Sequence, residues 1–179
     1  MNKHPANAFG KLRMDDAGRV VEWHSLVDHM TVVAACFVVL SACQCLRRAM
    51  ERAAGRALDK SDIARLAVLV FLHDLGKANS GFQAKRWPRG AIPKGWPDHA
   101  GHGAEAIRLF EDEPFLQPLV DLLPVDELCT WGDTVDGLLK ASISHHGRPI
   151  VDPIGDWNRS IWPAPKPSCF RVTGAFPAT

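Results

Sequence analysis

The chain has 179 residues, of which 46% are hydrophobic, and 21 Lys and Arg against 20 Asp and Glu leave a net charge of +1. This length and composition predict one folded domain with a buried core. The near-neutral balance excludes a uniformly basic nucleic-acid-binding protein but is compatible with a local basic strip, so net charge does not identify a partner.

The cysteines and the N-terminus predict a cytoplasmic protein. Five cysteines occur, namely Cys36, Cys43, Cys45, Cys129 and Cys169. Their number is odd and none forms a C-x-x-C pair, which favours reduced thiols. The segment Met1 to Gly10 contains no apolar core, so it lacks the pattern of a signal or transit peptide.

The stretch from Met30 to Leu46 is the one candidate for a membrane span. Three polar residues interrupt it, and it is shorter than the ~20 apolar residues that a bilayer requires. It also begins directly after Asp28-His29, whose burial in lipid would be costly. The sequence therefore predicts a buried helix and no membrane partner.

The first half of the chain is predicted to be helical after an N-terminal arm at 1–20. The stretch from Val21 to Met50 has no Pro or Gly and is apolar on nearly every side, which predicts one long, largely buried helix. Ser61 then precedes an acid and apolar residues at helical spacing, so we expect a helix capped by Ser61. It should run into His73-Asp74 and stop near Gly76.

The second half alternates loop and helix. Gly, Pro and two Trp residues punctuate the segment 79–98, which predicts a long loop. Helical spacing resumes over 99–111, 114–123 and 133–146. Six of the 13 prolines then fall between Pro149 and Pro177, which predicts an irregular tail over 149–179. The expected fold class is all-α, with its domain at 21–148.

Histidines are concentrated in a way that indicates a metal site. Seven of the eight lie in four clusters, namely His24 with His29, His73, His99 with His102, and His145 with His146. A single histidine is more often solvated or hydrogen-bonded than a ligand. Four clusters on converging helices, with a carboxylate directly after one of them, instead favour a site for Zn, Mn, Fe, Co or Ni.

Two motifs carry a resemblance to a known family. The run His73-Asp74-Leu75-Gly76-Lys77 resembles the signature of the HD phosphohydrolase superfamily, and His145-His146-Gly147 resembles the HHG motif of CRISPR-associated nucleases. With Gly81-Phe82-Gln83 and Asp98-His99 between them, they follow the order of the HD nuclease domain of the CRISPR-associated type I helicase-nuclease. The resemblance implies an HD-domain helical bundle that cleaves foreign single-stranded DNA.

The resemblance also implies a ligand set and two divalent ions of Mn, Co, Ni, Fe or Mg. The implied metal ligands are His29, His73, Asp74, His99, His145 and His146, with His24 and His102 as alternates. His99 is preferred because the small residue Gly103 follows four positions later, although His102 would share its helix face. Asp74 is the candidate bridge between ions that generate hydroxide and stabilise the charge on the phosphate.

Several positively charged residues follow Asp74. Lys77 is predicted either to contact the scissile phosphate or to interact with carbonyls at a helix C-terminus. The candidate nucleic-acid contacts in the adjoining loop are Lys85, Arg86, Trp87 and Arg89, where Trp can stack on bases. The alternative is a solvated loop whose Trp side chains face the core.

The chain departs from the family in three respects. Val32 stands where the family commonly has Asp, and the final Asp ligand has no counterpart, since Asp152 and Asp156 come too early. No GxxxxGK[ST] loop occurs, so no ATP site is expected. These departures predict a truncated nuclease. The resemblance implies that it works with a helicase in cis or in trans and with a CRISPR RNA-guided surveillance complex. The alternatives are a nucleotide-cleaving HD phosphohydrolase and an inactive metal-binding remnant.

Overall fold

The structure is a computed structural model that describes residues 8–111, 121, 125–144, 147 and 150. Two strands and seven α-helices occur in this part of the chain. They are β1 (Phe9–Met14), β2 (Val20–Ser25), α1 (Leu26–Ser41), α2 (Gln44–Ala54), α3 (Lys60–Phe71), α4 (Ser80–Gln83), α5 (Gly103–Glu111), α6 (Val125–Cys129) and α7 (Thr134–Ile143). A 3-10 segment, Leu72–Ala78, connects α3 to α4.

The fold is mostly helical, but the prediction of an all-α protein misses a small sheet. β1 and β2 form an antiparallel hairpin in which Leu12 pairs with Trp23. β2 is largely exposed, and β1 is buried only at Phe9 and Gly10, where it begins. Because neither strand buries one face along its whole length, no alternating apolar pattern arises, and the sequence carried little sign of the hairpin. The domain division stays a prediction, and 151–179 of the expected tail lie outside the described residues.

The predicted single helix from Val21 to Met50 is three elements. Its first residues belong to β2, and α1 ends at Ser41, after which α2 runs at 91° to it. Much of α1 is also exposed: Val32 is 54%, Val39 72% and Leu40 55% accessible. The apolar composition of α1 therefore did not predict that the helix is buried. No single helix among the described residues is long and apolar enough to cross a membrane, although α1 and α2 together pass that test.

The N-cap of α3 is Asp59, two residues before the predicted cap Ser61. Asp59 accepts a hydrogen bond from the Asp62 amide at 2.8 Å, and the Asp62 carboxylate accepts one from the Asp59 amide at 3.0 Å. This reciprocal capping box satisfies two amides that the helix leaves unbonded. The Arg56 guanidinium also binds Asp62 and lowers the pKa of that carboxyl to about 2.

The 3-10 segment lies at the centre of the described core. Leu72 and Leu75 are buried against Leu26 and Met30 of α1. On another side, the segment contacts α5, whose Ala106 and Ile107 pack with Ile143 of α7. Burial against two helices orients the residues of this segment.

Gly76 permits the closest of these approaches. A Cβ atom at this position would overlap the backbone carbonyl group of His102. Because the obstacle is backbone, rotation of a side chain cannot relieve the overlap.

We expect Gly76→Ala to lower the free energy of unfolding by about 1 to 3 kcal/mol, the range for overpacked sites. Gly137→Ala in α7 is the matched control, since nothing lies within 4 Å of its Cβ position. That change should stabilise the helix by roughly 0.5 to 1 kcal/mol. Urea unfolding followed by circular dichroism measures both, and equal effects would contradict the proposed overlap.

Candidate metal centre

His73 and Asp74 lie in the buried 3-10 segment, with Asp74 only 1% exposed. The Nδ1 atom of His73 is 2.7 Å from the carbonyl oxygen of Val70. A carbonyl only accepts, so Nδ1 carries the proton, and in the neutral ring Nε2 presents a lone pair. This bond fixes the tautomer in the manner usual for metal-binding histidines.

His29 joins this pair from the first turns of α1. Its Nε2 is 3.1 Å from Oδ2 of Asp74, and Nε2 of His73 is 3.3 Å from the same oxygen. One donor atom from each of the three residues lies within 4.8 Å of the others. Atoms bound to one cation at about 2.1 Å, at angles from about 90° to tetrahedral, lie roughly 3.0 to 3.4 Å apart. The donor set therefore fits a divalent ion.

The protonation states in the centre also favour a cation. Burial would raise the pKa of the Asp74 carboxyl, but the neighbouring His73 and Lys77 side chains outweigh it and hold the pKa well below its ordinary value. Burial lowers the pKa of His29, against the opposing attraction of Asp74. Near neutral pH the centre thus presents a carboxylate and a neutral imidazole, the forms that bind metals.

Lys77 is buried beside Asp74. Its Nζ is 2.6 Å from Oδ2 of Asp74 and 3.4 Å from the carbonyl oxygen of Gly10. The predicted phosphate contact stays a prediction, and the carbonyl group that Lys77 contacts belongs to β1, not to the preceding helix. The ammonium group instead partly neutralises the carboxylate and connects the centre to β1.

The third histidine cluster is arranged differently from expectation. Nε2 of His102 is 3.7 Å from Oδ1 of Asp74, whereas Nε2 of His99 is 3.2 Å and 3.1 Å from the carbonyl oxygens of Ala84 and Trp87. The expectation that they share a helix face is wrong, because α5 begins only at Gly103. Of the two, His102 is the one beside the centre.

The remaining candidate ligands are less closely placed or lie elsewhere. His24 is exposed on β2, with its ring centroid 6.0 Å from that of His29 in an edge-on arrangement. It is not part of the three-residue group described above. His145 and His146, predicted as ligands, lie outside the described residues.

The predicted nucleic-acid contacts divide into packed and exposed residues. Arg86 donates to the Gln83 carbonyl group at 3.0 Å, and its guanidinium lies 5.4 Å from the Trp87 ring centroid. Lys85 is partly buried, with Nζ 4.3 Å from the Phe82 ring centroid. Arg89 is exposed. Arg86 and Trp87 therefore help to pack the loop, while Arg89 is accessible to solvent.

Two buried amide side chains hold the centre together; Gln83 was noted in sequence only as part of the Gly81-Phe82-Gln83 motif, and Asn79 was not singled out. Asn79 is 0% exposed and donates to the carbonyl groups of Gly76 and Gly101 at 2.7 Å and 2.9 Å. Gln83 bonds both the amide and the carbonyl group of Phe9, each at 3.0 Å. Asn79 could have been found as a helix N-cap, since Ser80–Gln83 follows directly. No local pattern indicates the contact of Gln83 with β1.

The comparison with protein families agrees with this arrangement of the centre. The family model described as Cas3, HD domain matches residues 9–167. The chain belongs to the Cas3 HD-domain family. The match begins at the hairpin and includes both the HD motif and the later histidine pair. Comparison with curated proteins and with solved structures gave no match.

We expect Asp74→Asn to weaken binding of Mn²⁺ by at least about 100-fold, because it removes the charged ligand on which both histidines converge. Asp28→Asn is the matched control, since Asp28 is exposed and precedes His29 by one residue. Titration calorimetry on folded variants measures the affinities. Similar losses in both variants would exclude Asp74 as a specific ligand.

The two histidines before α5 should differ in their effects. His102→Ala should weaken Mn²⁺ binding by about 10 to 100-fold, the range for groups that touch a ligand or a metal. His99→Ala should leave the affinity unchanged. It should instead loosen the loop that contains Ala84 and Trp87, whose carbonyl groups the His99 ring contacts. The same calorimetric experiment decides this, and the opposite order of effects would restore His99 as the ligand.

Proposed function

We propose that this chain is a divalent-metal-dependent phosphodiesterase that cleaves single-stranded DNA during type I CRISPR interference. The convergence of His29, His73 and Asp74 carries the proposal, since one carboxylate oxygen lies 3.1 Å and 3.3 Å from the two imidazole nitrogens. Membership of the Cas3 HD-domain family supports the reaction class. DNA as substrate is our inference from the family.

The residues of the centre have distinct tasks in this proposal. His29, His73 and Asp74 would hold the first ion, with His102 as a further ligand or phosphate contact, and His145 and His146 would contribute to a second site. Bound divalent ions supply a water-derived nucleophile and stabilise charge on the phosphate. Lys77 fixes the orientation of the Asp74 carboxylate, so we assign it a positioning role.

The substrate would approach along the exposed side of the centre. Lys11 lies on β1 opposite His24, is exposed, and contributes to lowering the pKa of His29 after the larger effect of burial. Its charge is therefore close to the proposed metal ligands. With Arg89 in the loop, it offers cations to a phosphate backbone. A surveillance complex and a helicase, in cis or in trans, would deliver the strand in the cytoplasm.

The purified chain should cleave circular single-stranded DNA when Mn²⁺ or Co²⁺ is added. His73→Ala and Asp74→Ala should each lower the rate by at least about 100-fold, since each removes a ligand of the ion that activates water. The Asp28→Asn control should retain full activity.

Three outcomes would contradict this function. Cleavage that survives loss of His73 and Asp74 would place the activity elsewhere. Hydrolysis of mononucleotides in preference to DNA would instead favour a nucleotide phosphohydrolase. Tight metal binding without cleavage of any substrate would identify an inactive module. The chain could be inactive because it has no counterpart of the family's final Asp ligand. Metal content by mass spectrometry accompanies each assay.

A further inference from the structure

Two cysteines meet at the corner between α1 and α2. The sulfur atoms of Cys43 and Cys45 are 3.2 Å apart, and both residues are exposed. Cys36 and Cys129 are exposed as well. Exposure alone therefore does not distinguish the pair, but the contact between its two sulfur atoms does.

The two thiols are chemically unequal. Cys43 is the residue before α2, with extended backbone angles, and the first-turn amides of that helix lie beside its sulfur atom. The Cys45 thiol, followed by the amides of Cys45 and Leu46, lowers the pKa of the Cys43 thiol. The pKa of Cys45 is raised in turn, mainly by its bond to Cys43. Cys43 is the better nucleophile, because the thiolate is the reactive form.

We propose that Cys43 and Cys45 form a reversible dithiol–disulfide site that reacts with small disulfides of the glutathione class. The Cys43 thiolate attacks one sulfur atom of the small disulfide, forms a mixed disulfide and releases one thiolate. Cys45 then loses its proton and attacks the Cys43 sulfur, which releases the second thiolate. The protein loses two protons and two electrons, and the small disulfide takes them up to become two thiols.

The corner can accommodate this bond with little movement. A disulfide requires sulfur atoms about 2.05 Å apart, so the present separation must shorten by roughly 1 Å. Cys43 is the N-cap of α2: its amide donates to the Leu40 carbonyl group and its own carbonyl group accepts from the Arg47 amide, each at 2.9 Å, so the two side chains must supply the movement. Both side chains are exposed, so a small disulfide has access to the attacking sulfur.

This site is separate from the metal centre. Cys43 follows His29 by 14 residues along and just beyond α1, which at about 1.5 Å per residue corresponds to roughly 20 Å. The proposal therefore does not depend on nuclease activity or metal binding. The dithiol site can therefore be confirmed or rejected independently of the results for the metal centre.

The experiment treats the full reduced chain with oxidised glutathione at neutral pH, then quenches with acid and maps the peptides by mass spectrometry. The wild type should lose both thiols and retain no glutathione at the pair, because Cys45 resolves the mixed disulfide. Cys45→Ser should accumulate one glutathione on Cys43. A reductant should reverse both products.

Cys36→Ser with Cys129→Ser is the matched control and should still form the Cys43–Cys45 bond at the wild-type rate. Cys43→Ser should slow modification of Cys45 by about tenfold or more, since it removes the more ionised thiol. Glutathione that remains on Cys43 in the wild type would overturn the proposal. Equal rates of modification at Cys36 and Cys43 would overturn it as well.

Discussion

The buried carboxylate of Asp74 is the constraint on which the described structure depends. A carboxylate taken from water costs several kcal/mol unless cations or hydrogen-bond donors surround it. Asp74 obtains these partners from different parts of the chain: Lys77 lies 2.6 Å away within the 3-10 segment, and His29 reaches it from α1. Lys77 also contacts the Gly10 carbonyl group, which ties the hairpin to the centre. The hairpin, α1 and the 3-10 segment thus pack around one charged group.

Backbone polar groups impose a second constraint around this carboxylate. The segment 72–83 is tightly wound and buried, so its carbonyl groups need partners other than water. Asn79 and Gln83 supply them, and Gln83 extends the bonding to the edge of β1. Gly76 and Gly81 allow the loop before α5 to approach this segment closely. A Cβ atom at Gly76 would overlap the backbone of His102, and one at Gly81 would overlap Ala100. The loop that carries His102 is thereby held beside Asp74.

The exposed apolar residues of α1 show where composition is a poor guide to packing. Leu26 and Met30 bury against the 3-10 segment, yet Val39 is 72% exposed near the other end of the helix. Val32, where the family commonly has Asp, is also exposed and lies away from the buried core. Arg86 and Trp87, predicted as nucleic-acid contacts, also pack with each other within the loop, and the contact with nucleic acid stays a prediction. Side-chain chemistry alone does not distinguish an interface from internal packing.

The sequence by itself determined the family of this protein: the HD motif, the candidate ligand types and the helix that leads into them follow from residue types and short spacings. Only the tertiary structure places His102, and not His99, beside Asp74, because this depends on how a loop without helical geometry lies against that carboxylate. The hairpin and the break after α1 were also beyond local patterns. Strands that bury neither face along their whole length lack apolar alternation, and a helix ends where long-range packing no longer stabilises it. Proximity across distant segments, as between Gln83 and Phe9, is a property of the folded chain.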